Sequence, residues 1–288
     1  MEERTRQLAV SLEEAIGRLE RKIRQLGRGF VPRADGPVQA ERPPFSMRAS
    51  RPAAPRAGNA VLIDYLYGIN SPLGEQNPAG LTEELFHYAC SAPAPRALRS
   101  RRQRLSREID ACCHLRAGQA RILCVGSGHL REAELSKALR HGHFGEFVAF
   151  DSHPPHLQVI EQCYGSLGVR TCLGGIEQFP GGYPELRDFD LIYCPSLCEQ
   201  LDDRLAATLV RDLFRRLKPG GRLLLANFRP GVPNIAYLEG LLDWRPRYRG
   251  AEALQALLGG IPEEEIGGTR VFHDLSGCVA FVEAIRHG

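Results

Sequence analysis

Lysine is almost missing from this chain. Of its 37 basic residues only Lys22, Lys137 and Lys218 are lysine, a bias that fits GC-rich coding as readily as any function. A strong charge of one sign is missing too: the formal net charge is +3, which excludes the basic footprint of a nucleic-acid binder. No apolar run approaches the roughly 18 residues of a membrane span, and the opening MEERTRQ has no signal-peptide core. The expectation is a cytoplasmic protein with neither a membrane nor a nucleic acid as partner. Paired CxxC spacing is lacking among the nine cysteines (90, 112, 113, 124, 163, 172, 194, 198 and 278), so no metal is expected. Several of them sit in apolar runs, where cysteine acts as a small hydrophobe. What remains, 43% hydrophobic and 25% charged, is the composition of an ordinary globular protein.

The chain divides into four stretches. Residues 1–27 carry Leu8, Leu12, Ile16, Leu19, Ile23 and Leu26 at helical spacing. This short amphipathic seam, interrupted by Gly17, suits either a docked helix or the arm of a homodimer. Residues 28–58, rich in Pro, Arg, Ala and Gly without periodicity, read as a linker. Residues 59–116 read as helical and end in a helix crowded by Arg96, Arg99, Arg101, Arg102, Arg104 and Arg107. Those arginines could meet phosphate or carboxylate groups, or form a solvated, salt-bridged face. From 117 to 288 the rhythm is strand-helix-strand. Strands are predicted near 121–126, 146–151, 168–173, 189–194 and 221–227, with helices near 130–141, 154–165 and 200–217. Two final apolar runs around Asp274-Leu-Ser-Gly277 predict an antiparallel hairpin. The fold class is therefore α/β: a Rossmann-like doubly wound sheet with a C-terminal hairpin and an N-terminal helical region.

Chemistry concentrates in RILCVGSGHLRE, residues 121–132. An apolar strand that breaks at Gly126-Ser127-Gly128 and re-enters as a helix brings bare backbone against a ligand at a helix N-terminus. The next strand ends on Asp151, at the spacing where a carboxylate can accept hydrogen bonds from a ribose.

Five segments in order carry a resemblance: VGSG, FDSHPPHL, FDLIYCPSL, LFRRLKPGGRLLLANF and the terminal hairpin. Over about residues 118–286 the chain resembles a class I S-adenosylmethionine-dependent methyltransferase. The stretch ANFRPGVPNIAYLEGLLDWRPRYRGAEAL with the FVEAIRH ending is similar to bacterial enzymes grouped with the 3-hydroxypalmitic acid methyl ester synthases, which methylate a fatty-acid carboxylate. The chain departs from the class pattern at three places. Cys124 stands where an acid is usual, Leu130 replaces a third glycine, and Gly174-Gly175 replaces Gly-Asp after the third strand.

Carried over by position, the resemblance implies S-adenosylmethionine as cofactor. Gly126, Ser127 and Gly128 would line its methionine and ribose, and Asp151 would hold the ribose hydroxyls beside Ser152 and His153. Gly175 and Ile176 would border the adenine, and Cys194 and Pro195 would floor the pocket. Glu132 would reach the amino group or serve as a helix-dipole partner. Acceptor-site candidates follow the fifth strand: Asn227, Arg229, Tyr237, Asp243, Trp244, Tyr248 and Arg249. An arginine here could hold a carboxylate bidentately, and Trp244 could equally be core. His129 is a candidate base, with residues 59–116 as a lid.

The small-molecule acceptor implied is a fatty or other carboxylic acid, which needs no base. Two alternatives stand beside this reading: an enzyme that consumes S-adenosylmethionine as alkyl donor or cyclisation substrate and releases methylthioadenosine, and a non-catalytic regulatory binder of the cofactor.

Overall fold

The computed structural model describes residues 60–69, 91–233, 239 and 244–288. The amphipathic seam of residues 1–27, the linker of 28–58, Tyr237 and Asp243 lie outside the described residues. Two helices come first, α1 (Ala60–Tyr67) and α2 (Pro93–Leu115). Then follow β1 (Arg121–Val125), a short α3 (Lys137–Arg140), β2 (Glu146–Asp151), α4 (Pro154–Tyr164) and β3 (Val169–Leu173). The chain closes with β4 (Phe189–Cys194), α5 (Asp203–Phe214), β5 (Leu217–Phe228), α6 (Ala251–Gln255), β6 (Ile266–His273) and β7 (Val279–Arg286).

The strands form one sheet in the order β3-β2-β1-β4-β5-β7-β6. β1 to β5 are parallel, and β7 runs antiparallel between β5 and β6. This is the doubly wound sheet with a terminal hairpin that the sequence predicts. Strand order reverses between β1 and β4, and in such sheets the crevice beyond the carboxyl ends of the two strands is where ligands bind. The glycine turn after β1 and the segment after β4 meet there.

Period-two alternation assigns the two faces. Ile122, Cys124, Phe147, Ala149, Tyr193 and Leu224 belong to one buried core, shared with Leu98, Leu105 and Ile109 of α2. Leu123, Val125, Val148, Phe150, Ile192 and Leu225 belong to the other, shared with Leu209 and Leu213 of α5. Each such side chain contributes roughly 1.5–3 kcal/mol by leaving water. Among the described residues no helix is long and apolar enough to cross a membrane.

Two expectations need correction. The single helix predicted over 130–141 is a 3-10 turn at Arg131–Glu134 followed by α3. The Ser136 hydroxyl accepts from Leu139 N and caps α3, while Asp110 of α2 takes the Ser136 hydroxyl at 2.6 Å and Ala138 N at 2.9 Å. Satisfying those backbone groups from outside stops one continuous helix. The arginine-rich face of α2 is also not simply solvated. Arg101 is buried against Glu199 at 3.1 Å, and Arg102 binds Glu134 while lying over the Tyr67 ring.

The segment between β3 and β4 is held by one side chain. The Arg216 guanidinium donates to the carbonyls of Phe179, Gly182, Tyr183 and Leu186 at 2.7–2.9 Å.

Candidate functional site

The glycine turn is built by the backbone. Gly126 N and Ser127 N both donate to Phe150 O, at 2.9 and 3.2 Å, which ties the turn to the end of β2. Gly126 has φ +72°, and a Cβ there would lie 2.9 Å from Leu197 Cβ; Gly128 has φ +53° under Ala60 of α1. Leu130, in place of a third glycine, still adopts the left-handed backbone (φ 51°, ψ 44°), and its side chain is buried in the core. The turn thus keeps a glycine-like path at a residue that pays for it with strain.

Asp151 closes the turn from the other side. Its Oδ2 accepts from Gly128 N at 2.9 Å and its Oδ1 from His153 N at 2.9 Å. The Nδ1 atoms of His153 and His156 stand 3.3 and 3.2 Å from the same Oδ1. Burial pushes the carboxyl up, but the hydrogen bonds and charge of His156, with Gly128 and His153, outweigh it and hold Asp151 below the usual carboxylate range.

A second carboxylate arrives from α1. Asp64 receives Arg131 through two bonds, Nε to Oδ1 at 2.9 Å and Nη2 to Oδ2 at 2.6 Å, and lies 2.8 Å from His129 Nδ1. Burial opposes ionisation of Asp64, yet its bonds to His129 and Arg131 win and lower its pKa. This clamp fastens α1 across the glycine turn and orients the buried His129 ring.

Glu132, buried below, accepts from Tyr193 Oη at 2.7 Å and has Cys124 Sγ 3.9 Å away. The acid absent from the Cys124 position is thus supplied beside it, from the turn that follows. Burial pushes Glu132 up, with the Tyr193 bond pulling the other way.

These groups line one cleft. Asp64, Tyr67, Arg101, Gly126 to Glu132, Phe150, Asp151, Ser152, His153, His156, Gly174, Ile176 and Pro195 to Leu197 form its wall. Of the residues predicted from sequence, Gly126, Ser127, Gly128, His129, Glu132, Asp151, Ser152, Ile176 and Pro195 stand here together. Gly174 rather than Gly175 lines the cleft. Cys194 turns into the opposite core next to Cys198.

The described acceptor candidates stand elsewhere. Arg249 is buried and donates to Cys198 O, Leu201 O, Asp203 Oδ1 and Asn227 Oδ1. Asn227 in turn donates to Phe228 O and Arg247 O. Arg229 is bonded to Gly277 O, Tyr248 to Glu239, and Trp244 packs edge-on against Phe228. These side chains bond to groups around the end of β5 rather than line the cleft. Asp64, Tyr67 and Arg101 were missed. They join the cleft over sequence separations that no local spacing encodes.

Residues 123–225 match the family described as a methyltransferase domain. That family match supports methyl transfer as the activity, with S-adenosylmethionine as cofactor. A search of curated proteins with the whole sequence found no match. Among solved structures the chain is similar to a candidate exported protein from Bordetella parapertussis, at 17% identity over 81% of both chains with a TM-score of 0.61. It is also similar to a candidate O-methyltransferase from Nostoc punctiforme, at 14% identity over 81% of this chain and 69% of that one, with a TM-score of 0.50. At such identities the structural likeness concerns the fold.

The cleft suits S-adenosylmethionine. Its wall combines apolar side chains with the carboxylates of Asp64, Glu132 and Asp151, and two of its polar atoms, Ser127 Oγ and Arg101 Nε, are buried without a hydrogen-bond partner among the described residues. A native fold seldom leaves such atoms bare unless a ligand or water completes them.

Proposed function

We propose that the chain methylates a small molecule whose reacting atom carries a proton, a hydroxyl above all, with His129 as general base. When bound, the cofactor supplies a sulfonium methyl group for in-line displacement. The protein's part is to align donor and acceptor and to take up the acceptor's proton. Asp151 and Ser152 would hold the ribose, the Gly126–Gly128 backbone the methionine portion, and Phe150, Gly174 and Ile176 the adenine. Glu132 would take the amino group and Arg101 the carboxylate, with Pro195 behind.

The observation that carries the base is the 2.8 Å contact between His129 Nδ1 and Asp64 within the cleft wall. Asp64 fixes the ring's orientation, and Arg131 shares the carboxylate. A carboxylate acceptor, the reading from the subgroup resemblance, would leave this dyad idle. It would also want a free arginine, whereas Arg249 is already engaged by protein acceptors.

Mass spectrometry of the protein incubated with S-adenosylmethionine and a panel of hydroxy-fatty acids and their methyl esters tests the reading. S-adenosylhomocysteine appearing with the hydroxyl-bearing esters supports it, and product formed only with free acids returns the carboxylate reading. Methylthioadenosine formed without acceptor would mean chemistry on the cofactor itself. Binding with no product from any acceptor would favour the regulatory alternative.

A further inference from the structure

Asp151, His153 and His156 are placed as no ribose site requires. Their ligand atoms lie within 4.8 Å of one another, and both imidazole Nδ1 atoms converge on Asp151 Oδ1 at 3.2–3.3 Å. The sequence D-S-H-P-P-H builds this arrangement. Pro154 and Pro155 set the first turn of α4, His153 takes the N-cap position and His156 the third helical one, so the two rings share a face. The rings stack, with centroids 4.9 Å apart, and the edge of His129 backs His156 at 5.3 Å. A tetrahedral zinc-type ion with bonds of about 2.0–2.1 Å to nitrogen and oxygen has ligands about 3.3 Å apart, the spacing of each imidazole Nδ1 from Asp151 Oδ1.

We propose that Asp151, His153 and His156 bind a divalent transition metal of the zinc class, and that this metal and the ribose of S-adenosylmethionine exclude each other at Asp151. The exclusion rests on the cofactor placement above; the metal site does not.

Two imidazoles and one carboxylate suit zinc or cobalt and not magnesium, which prefers oxygen. Three protein ligands leave a fourth position to solvent in the cleft, where His153 and His156 are 30% and 14% exposed. The helix dipole of α4 opposes a cation, and the Asp151 charge offsets it. Ser152 Oγ, 3.0 Å from His153 Nδ1, must turn away to release that lone pair. Exclusion follows from occupancy. Oδ2 and Oδ1 already accept from Gly128 N and His153 N, so metal on Oδ1 takes the lone pair a ribose hydroxyl would use there.

The test is Co2+ titration of the untagged, metal-stripped full chain, followed by visible absorption. The expected result is one four-coordinate Co2+ per chain without a thiolate charge-transfer band, lost in His156→Ala and in His153→Gln, with Mg2+ unable to compete. Circular dichroism of both variants shows that they are folded. Equilibrium dialysis of S-adenosylmethionine against rising Zn2+ then tests exclusion. At Zn2+ tenfold above its own Kd the apparent Kd of the cofactor should rise about elevenfold, and in His156→Ala it should not respond. A Co2+ spectrum unchanged in both variants, or one showing thiolate ligation, overturns the site. A cofactor Kd indifferent to bound Zn2+ overturns the exclusion. Failure of the metal-free protein to bind S-adenosylmethionine would overturn the cofactor placement and leave the metal result standing.

Discussion

Gly126 shows how little room single residues have here. An alanine would hold φ +72° against its preference and press its Cβ on Leu197. Gly126→Ala is expected to lose about 1–3 kcal/mol of stability and at least about tenfold in cofactor affinity, read by urea denaturation and calorimetry. Glu199 carries a pH signature. Burial pushes it from 4.5 up to about 7, against the nearby Arg101 charge and the Phe228 N–H bond. Between those values the folded protein keeps a proton that the unfolded chain has released. Stability therefore falls as pH rises through the window, and levels off above it. Glu199→Gln should flatten that slope in denaturation curves taken from about pH 5 to 8. At this scale the sequence was legible where a motif is local: Gly126, Gly128 and Asp151 are neighbours along the chain and across one sheet edge. It was not legible for Arg101, whose burial depends on Glu199, 98 residues away, or for Arg249, whose partners come from the loop after β4, the start of α5 and the end of β5.

The element with most influence on the cleft is α1. It has only eight residues, too few to be helical alone, so its position depends on Asp64 and on Leu62 and Leu66 in the core. Asp64→Ala should raise amide exchange across Ala60–Tyr67 about 10–100-fold, as a buried bonded charge is lost and Arg131 is left without it. Asp64→Asn should fall between, keeping one acceptor for Arg131. Hydrogen-exchange mass spectrometry distinguishes this from global loosening, because α5 protection should not change. If His129 is the base, the same Asp64→Ala variant should lose turnover more than cofactor affinity. The strands were readable because buried parallel strands are short apolar runs. The break between Glu134 and Lys137 was not, since apolar spacing there fits one helix and only the capping by Asp110 interrupts it.

For the molecule as a whole, the helix that reads as part of a lid is also half of a core. Leu98, Leu105 and Ile109 of α2 pack in one cluster with Ile122, Cys124 and Leu224 of the sheet. Arg222 of β5 reaches both Glu108 of α2 and Glu283 of β7, at 2.9 and 2.8 Å. A fragment of residues 117–288 is therefore expected to lack cooperative unfolding, whereas the full chain should show one transition shared by α2 and the sheet, read by calorimetry and circular dichroism together. The doubly wound topology was visible from alternation alone, but the seat of α2 was not, since its arginines disguise an apolar stripe. One last consequence belongs to Arg216. It grips four carbonyl oxygens, and the side chain it covers in the segment it holds is the Phe179 ring, so outside Phe179 it constrains shape without constraining sequence. Exposed positions such as Pro184 and Glu185 should accept most substitutions in a saturation library, while position 216 accepts almost none. Between β3 and β4, drift in the text of the gene is permitted by a single residue that reads one ring of it.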